Sequence, residues 1–131
     1  MNIILDEIEG ADAIVLGSPM NFGTVTAVMK VFIERLTCFA CWPWGTAAPK
    51  ARNDKKSKRA IVVASSAAPS FMVRVSSRLV KLLKESVDLL GARTVGVLFV
   101  GLAAMDEQQR IGSRTKRKAR SHGKKLVSSR E

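Results

Sequence analysis

The sequence predicts an α/β protein, a three-layer αβα sandwich around a parallel sheet. Three observations predict it. Apolar runs of strand length recur at Ala13-Ile14-Val15-Leu16, Ala60-Ile61-Val62-Val63-Ala64 and Val95-Gly96-Val97-Leu98-Phe99-Val100. Each run empties into a loop of small residues, at 17–24, 65–70 and 101–105. Each loop then gives way to a segment expected to be helical. Strands that alternate with helices build parallel sheets with right-handed crossovers. Runs without polar alternation suit strands whose two faces are both covered.

The chain has 131 residues, which suits one domain over 1–131, and 47% of them are apolar. A domain of that size buries about two-thirds of its unfolded surface. No apolar run approaches the ~20 residues a membrane span needs. The start, Met1 to Glu7, carries no basic segment and no cleavage site, so no secretory signal is expected. Two cysteines make no disulfide framework. The expectation is a cytoplasmic protein without a membrane anchor.

The formal net charge is +11. One basic run, Lys50, Arg52, Lys55, Lys56, Lys58 and Arg59, lies in a connection over 46–59 and is opposed by Asp54. A second extends from Arg110 through Lys125 to Arg130, in a helix expected over 106–131, and is opposed by Glu131. Such runs attract polyanions or concentrate an anionic cofactor. The plainer reading is a solvated loop and the outer face of a terminal helix. No aromatic residue interleaves with either run, which weighs against single-stranded nucleic acid as a partner.

In chain order, Asn2 to Glu9 reads as a helix closed by Gly10. The first strand, 13–16, is expected to stop at Gly17-Ser18-Pro19, since Pro19 biases Ser18 away from helical geometry. Beyond the loop, Val25, Val28, Met29, Phe32, Ile33 and Leu36 recur at i, i+3, i+4, i+7, i+8 and i+11, an amphipathic helix. In open parallel sheets, ligands bind beyond the carboxyl ends of the strands. The loop Ser18 to Thr24 sits at such an end. Gly23 permits close backbone approach, and Met20 and Phe22 offer apolar contact.

Residues 17–36, Gly-Ser-Pro-Met-Asn-Phe-Gly-x-Val-x-Ala-x-x-Lys-x-Phe-x-Glu-Arg-Leu, resemble the flavin-binding loop and following helix of the NAD(P)H-dependent FMN reductase family. The resemblance implies a flavodoxin-like fold with FMN as cofactor and NADH or NADPH as electron donor. It implies an oxidoreductase that passes electrons to a small-molecule substrate. Ser18, Pro19, Met20, Asn21, Phe22 and Gly23 would cradle one side of the flavin ring. Many relatives carry an aromatic residue where Asn21 stands. Ser65, Ser66 and Ala67, at the end of the second strand, would flank the other side. No general acid or base is assigned. The family commonly forms dimers or tetramers, so a homo-oligomer is expected.

In that family a strand, a phosphate-binding loop, a helix and a second strand precede this point. The expectation is therefore a flavodoxin-like domain lacking its amino-terminal part, with 13–16 left as an unpaired edge. Either the protein is longer, or another copy or partner covers that edge. The rival reading is a non-enzymatic remnant acting through oligomer or partner contacts; a nucleic-acid-binding module is a third and weaker reading, so nucleic acid is not the expected partner.

Cys38-Phe39-Ala40-Cys41 has C-x-x-C spacing. No second ligand pair completes a zinc site. The negative end of the preceding helix opposes a reactive thiolate. With Trp42 and Trp44 alongside, buried and inert cysteines are expected. The tryptophans are expected either to flap over a pocket or make a subunit contact, or to form a satellite core under the long loop. Ser65 lacks a Gly-x-Ser-x-Gly elbow, and His122 is remote in sequence, so a serine hydrolase is discounted.

A helix is expected over Phe71–Leu90, N-capped by Ser70 and stopped by Gly91. Its stripe is Met72, Val75, Leu79, Leu83, Val87 and Leu90. The last helix is expected to open at Asp106, Glu107 and Gln108, where acids suit the positive end of the helix dipole. Ile111, Ala119 and Leu126 would face inward.

Overall fold

The computed structural model describes residues 2–52 and 55–128. Asp54, Arg130 and Glu131 of the charge runs lie outside the described residues, as does the side chain of Val75. The elements are α1 (Asn2–Gly10), β1 (Ala13–Pro19), α2 (Ala27–Arg35), β2 (Ala40–Cys41), β3 (Lys50–Ala51), β4 (Lys58–Ser65), α3 (Ser70–Ser76), α4 (Leu79–Leu89), β5 (Ala92–Val100) and α5 (Ser113–Val127). β1, β4 and β5 form a parallel sheet in the order β1-β4-β5. Helices pack on the sheet, giving the expected α/β architecture.

β1 runs on through Gly17-Ser18-Pro19, where the sequence suggested a stop. The ladder explains why. Asp12 C=O accepts from Arg59 N–H (3.2 Å), and Met20 N–H donates to Ser65 C=O (2.7 Å). Alternation along a parallel pair then turns the backbone groups of Ala13, Val15, Gly17 and Pro19 to the free edge. A proline there forfeits no ladder bond.

Burial also departs from expectation at β1. Ile14, Leu16 and Ser18 are buried, but Val15 on the other face is 62% exposed. β4 is the strand with two covered faces: Ala60, Val62 and Ala64 on one side, Ile61 on the other. α5 packs against β5 and β4, and the second face of β1 is left open.

The core is a continuous cluster on the first face. Ile14, Leu16, Val62 and Ala64 meet Leu79, Leu83 and Val87 of α4, with Leu36 closing one end. Leu5 and Ile8 of α1 and Phe32 and Ile33 of α2 pack around it. α2 starts at Ala27 after the Thr26 N-cap, whose hydroxyl accepts from Met29 N–H (3.3 Å). Val28, placed on the inner stripe by its spacing, is exposed.

The long helix expected over 71–90 is two helices. Ser77 is extended, and Arg78 N–H donates to Gly23 C=O (3.3 Å). A backbone donor that would continue the helix instead ties it to the first loop. The N-cap of α3 is Pro69, without a side-chain cap, so Ser70 does not hold the role expected of it. Gly91 ends α4 with φ +67°, as a C′ glycine does. The last helix opens at Ser113 and not at Asp106, Glu107 and Gln108; Ile111 precedes it and is exposed, and of the expected inner residues Ala119 is exposed and Leu126 half-buried.

Lys58 and Arg59 of the first basic run hold helix ends. Lys58 Nζ donates to the terminal carbonyls of α1, Ile8 and Glu9 (2.7 Å to Glu9). Arg59 Nη1 donates to Lys125 C=O (3.1 Å) and to Ser128 C=O at the end of α5. Cations at helix carboxyl ends complement the dipole. His122 of α5 lies over Gly96 of β5, where a Cβ would stand 2.5 Å from its Nδ1. Its Nε2 donates to Val97 C=O (3.2 Å).

Leu83 is fully buried, so Leu83→Ala is expected to lower stability by about 2–5 kcal/mol. Val28→Thr, exposed on α2, is expected to change it by less than about 0.5 kcal/mol. Urea denaturation of the two variants checks both values.

Candidate functional site at the carboxyl end of the sheet

Three loops leave the carboxyl ends of β1, β4 and β5, and backbone hydrogen bonds join them. The Met20–Ser65 bond ties the first to the second. Ser66 ties the second to the third: its N–H donates to Val100 C=O (2.9 Å), and its C=O accepts from Ala103 N–H (2.9 Å). Leu102 N–H donates to Ala68 C=O (3.2 Å). The third loop passes so close that a Cβ on Gly101 would lie 2.6 Å from Ser70 N. Only glycine fits there.

The serines hold the loops in shape. Ser18 is buried, its hydroxyl accepting from Thr26 N–H (3.2 Å) and donating to Pro19 C=O (2.8 Å). Ser66 is also buried, its hydroxyl accepting from Ala68 N–H (2.9 Å). Both hydroxyls are engaged within the protein, so their part in any site is positional. Ser65 is half-buried at the β4 terminus, and Ala67 is exposed.

The tip of the first loop is a two-residue hairpin. Asn21 N–H donates to Thr24 C=O (2.9 Å), and Thr24 N–H to Asn21 C=O (3.1 Å). Phe22 and Gly23 between them have φ +48° and +79°, the signs of a type I′ turn. Gly23 suits that geometry; a phenylalanine strains in it, by on the order of 1–3 kcal/mol. Phe22 is fully exposed, so no packing offsets the strain. Among the described residues Leu102, in the third loop, is the other non-glycine residue with positive φ, at +56°. Both strained residues thus stand at the carboxyl end of the sheet. Phe71, Met72 and Met105, also on this end, are exposed apolar side chains.

Among the described residues, the backbone N–H groups of Phe22, Gly23 and Ala67 make no hydrogen bond within the chain. The loops 18–24, 65–70 and 101–105 contain no histidine, cysteine or carboxylate. Free backbone donors beside apolar surface suit a flat heteroaromatic ligand with ring carbonyls and nitrogens. Pro19, Met20, Asn21, Phe22 and Gly23 lie on one loop, and Ser65, Ser66 and Ala67 on its bonded neighbour. Gly101, Leu102 and the Thr26 cap were not identified from sequence. A glycine after an apolar strand is a readable signal, whereas nothing in a leucine announces a positive φ.

The C-x-x-C segment is not part of this arrangement. Cys38 lies in a short 3-10 turn, Leu36–Phe39, and Cys41 in β2; both are free and exposed, against the buried cysteines expected. Trp42 and Trp44 are exposed too, so no satellite core forms around them. Trp42 Nε1 donates to Thr46 C=O (3.0 Å), and β2 pairs with β3 instead of covering the segment. Among the described residues, no three of His, Cys, Asp and Glu come together to hold a metal ion. No described helix is long and apolar enough to cross a membrane.

Phe22→Asn is expected to raise stability by up to about 1 kcal/mol, because asparagine tolerates the left-handed conformation. Gly101→Ala is expected to lower it by about 1–3 kcal/mol through overpacking against Ser70. Thermal unfolding of both variants reads the opposite signs.

A family described as NADPH-dependent FMN reductase matches residues 1–106. No curated protein matches the chain by sequence. Among solved structures, an FMN-dependent NADH-azoreductase from Bacillus anthracis, solved with FMN, superposes with a TM-score of 0.68 at 12% identity, over 95% of this chain and 61% of that one. An NADH:FMN oxidoreductase in its apo form gives 0.60 at 16% identity, over 98% and 60%. An NADPH-quinone reductase from P. pentosaceus gives 0.60 at 13% identity, over 98% and 75%. At these identities the likeness establishes the flavodoxin-like fold. The chain spans about three-fifths of the length of the first two.

Proposed function

The chain belongs to the NADPH-dependent FMN reductase family, and we propose that it is an oxidoreductase that binds the FMN ring across its three carboxyl-end loops. The observation that carries the reading is the joined set of loops, with unpaired N–H groups at Phe22, Gly23 and Ala67 beside exposed apolar side chains. FMN held there would supply the redox chemistry between a nicotinamide hydride donor and an acceptor.

The chain's own contribution is position. Phe22, Gly23 and Ala67 offer N–H donors to the ring's acceptor atoms. Met20 and Phe22 give apolar surface that excludes water from the ring. Pro19 and Asn21 complete the first wall, and Ser65 the second. Ser18 and Ser66 fix the loop shapes from below. No side chain in these loops can take up or release a proton near neutral pH, so the loops orient and do not act as acid or base. A cytoplasmic setting, with its supply of reduced nicotinamides, fits this chemistry.

The test is absorption spectroscopy of the purified chain after adding FMN and removing the unbound part. Retained flavin that is bleached by NADPH or NADH supports the reading, and Gly23→Val is expected to lower retention at least about tenfold by closing the left-handed turn. A chain that retains no FMN overturns the reading and leaves the non-enzymatic alternative.

We also infer a homo-oligomer, dimer or tetramer, in which a second copy covers β1. Its free edge and the exposed Val15 face support this, since natural proteins rarely leave an apolar edge strand uncovered. Light scattering is expected to give at least twice the 14.2 kDa chain mass. A monomer at micromolar concentration overturns it.

A further inference from the structure

α5 carries Arg114, Lys116, Arg117, Lys118 and Arg120 in its first half, Lys124 and Lys125 in its last turn, and no acid. It lies beyond the residues 1–106 matched by the family. At 100° per residue, Thr115, Ala119, His122 and Leu126 share an arc of about 60°. Thr115, His122 and Leu126 are half-buried on that side. The seven cations are all exposed and spread over about 200° of the remaining circumference. The helix is about 22 Å long. His122 over Gly96 and the Arg59 cap hold it to the sheet, so the cations are displayed on an anchored rod.

The field continues past the helix. Lys118 lines a cleft of about 420 Å³ with Lys81 and Lys84 of α4, and among the described residues no acid lines it. Lys84 and Arg93 line the adjoining cleft along β5. The acid there, Asp88, is paired with Lys56 at 2.6 Å.

We propose that α5 docks in the major groove of duplex DNA and binds its phosphates without sequence preference. The spread of charge selects this partner. A flat anionic surface meets cations on one side of a helix. A groove about 12 Å wide admits the whole helix and presents phosphates on both walls. The exposed arc holds no Leu, Phe or Trp to enter an acyl layer. It holds no aromatic residue on which single-stranded bases could stack, which agrees with the sequence reading. The major groove of an RNA duplex is too narrow and deep for such a helix. The proposal is independent of the flavin reading.

The experiment is fluorescence anisotropy of the full chain with a labelled random-sequence DNA duplex of about 20 base pairs, two helical turns. Binding is expected, with a slope of log affinity against log salt of about −3 to −6, at ~0.9 per neutralised phosphate. The outward triple variant K116E/R120E/K124E is expected to weaken binding at least about tenfold, with an unchanged circular dichroism spectrum. An RNA duplex of the same sequence is expected to bind at least about tenfold more weakly, for the groove reason. The proposal is overturned if DNA does not bind at low salt, or if a folded triple variant binds as well as the parent. It is equally overturned if the RNA duplex binds as tightly, or if phosphatidylserine vesicles capture the chain where DNA does not.

Discussion

β4 is hydrogen-bonded on both of its edges, to β1 and to β5, and the rest of the structure is hung from it. Its inner residues Ala60, Val62 and Ala64 are buried against α4. At its amino end, Lys58 and Arg59 reach in two directions to the carboxyl termini of α1 and α5. At its carboxyl end, Ser65 and Ser66 bind the loop before it in space and the loop after it. One strand therefore sets the height of both neighbouring strands, the seats of two helices and the spacing of the three loops.

The site that results is made of backbone. Buried serine hydroxyls shape each loop, backbone bonds and a glycine without room for a Cβ join the loops, and the strain at Phe22 and Leu102 is maintained by bonds on both sides of each residue. What such loops present is fixed N–H groups and apolar surface. That suits a family whose chemistry belongs to its cofactor. The same economy explains why no histidine or carboxylate marks the loops.

Charge divides into two roles. Lys58 and Arg59 are consumed in holding helix ends. Among the described residues the cations of α5 cap no helix end: they surround an exposed rod, and Lys118 faces a cleft whose other wall carries Lys81 and Lys84. In the linear sequence the two runs look alike. They are separated by where the chain meets a helix terminus, and that is a tertiary fact.

The sequence by itself determined the three strands, the loops after them and the α4 stripe, because local periodicity and small-residue punctuation are written in consecutive residues. It also carried the 17–36 motif that points to the family. Tertiary structure decided what consecutive residues cannot encode. It extended β1 through Pro19, since a free edge does not need that N–H. It broke the 71–90 helix at Ser77, since Arg78 N–H found Gly23. It left Val15, Cys38 and the tryptophans in the open, since nothing in the described chain packs over them. It brought Ser18, Ser66 and Gly101 into one assembly, because hydrogen bonds between loops far apart in sequence depend on sheet register, and register is a property of paired strands.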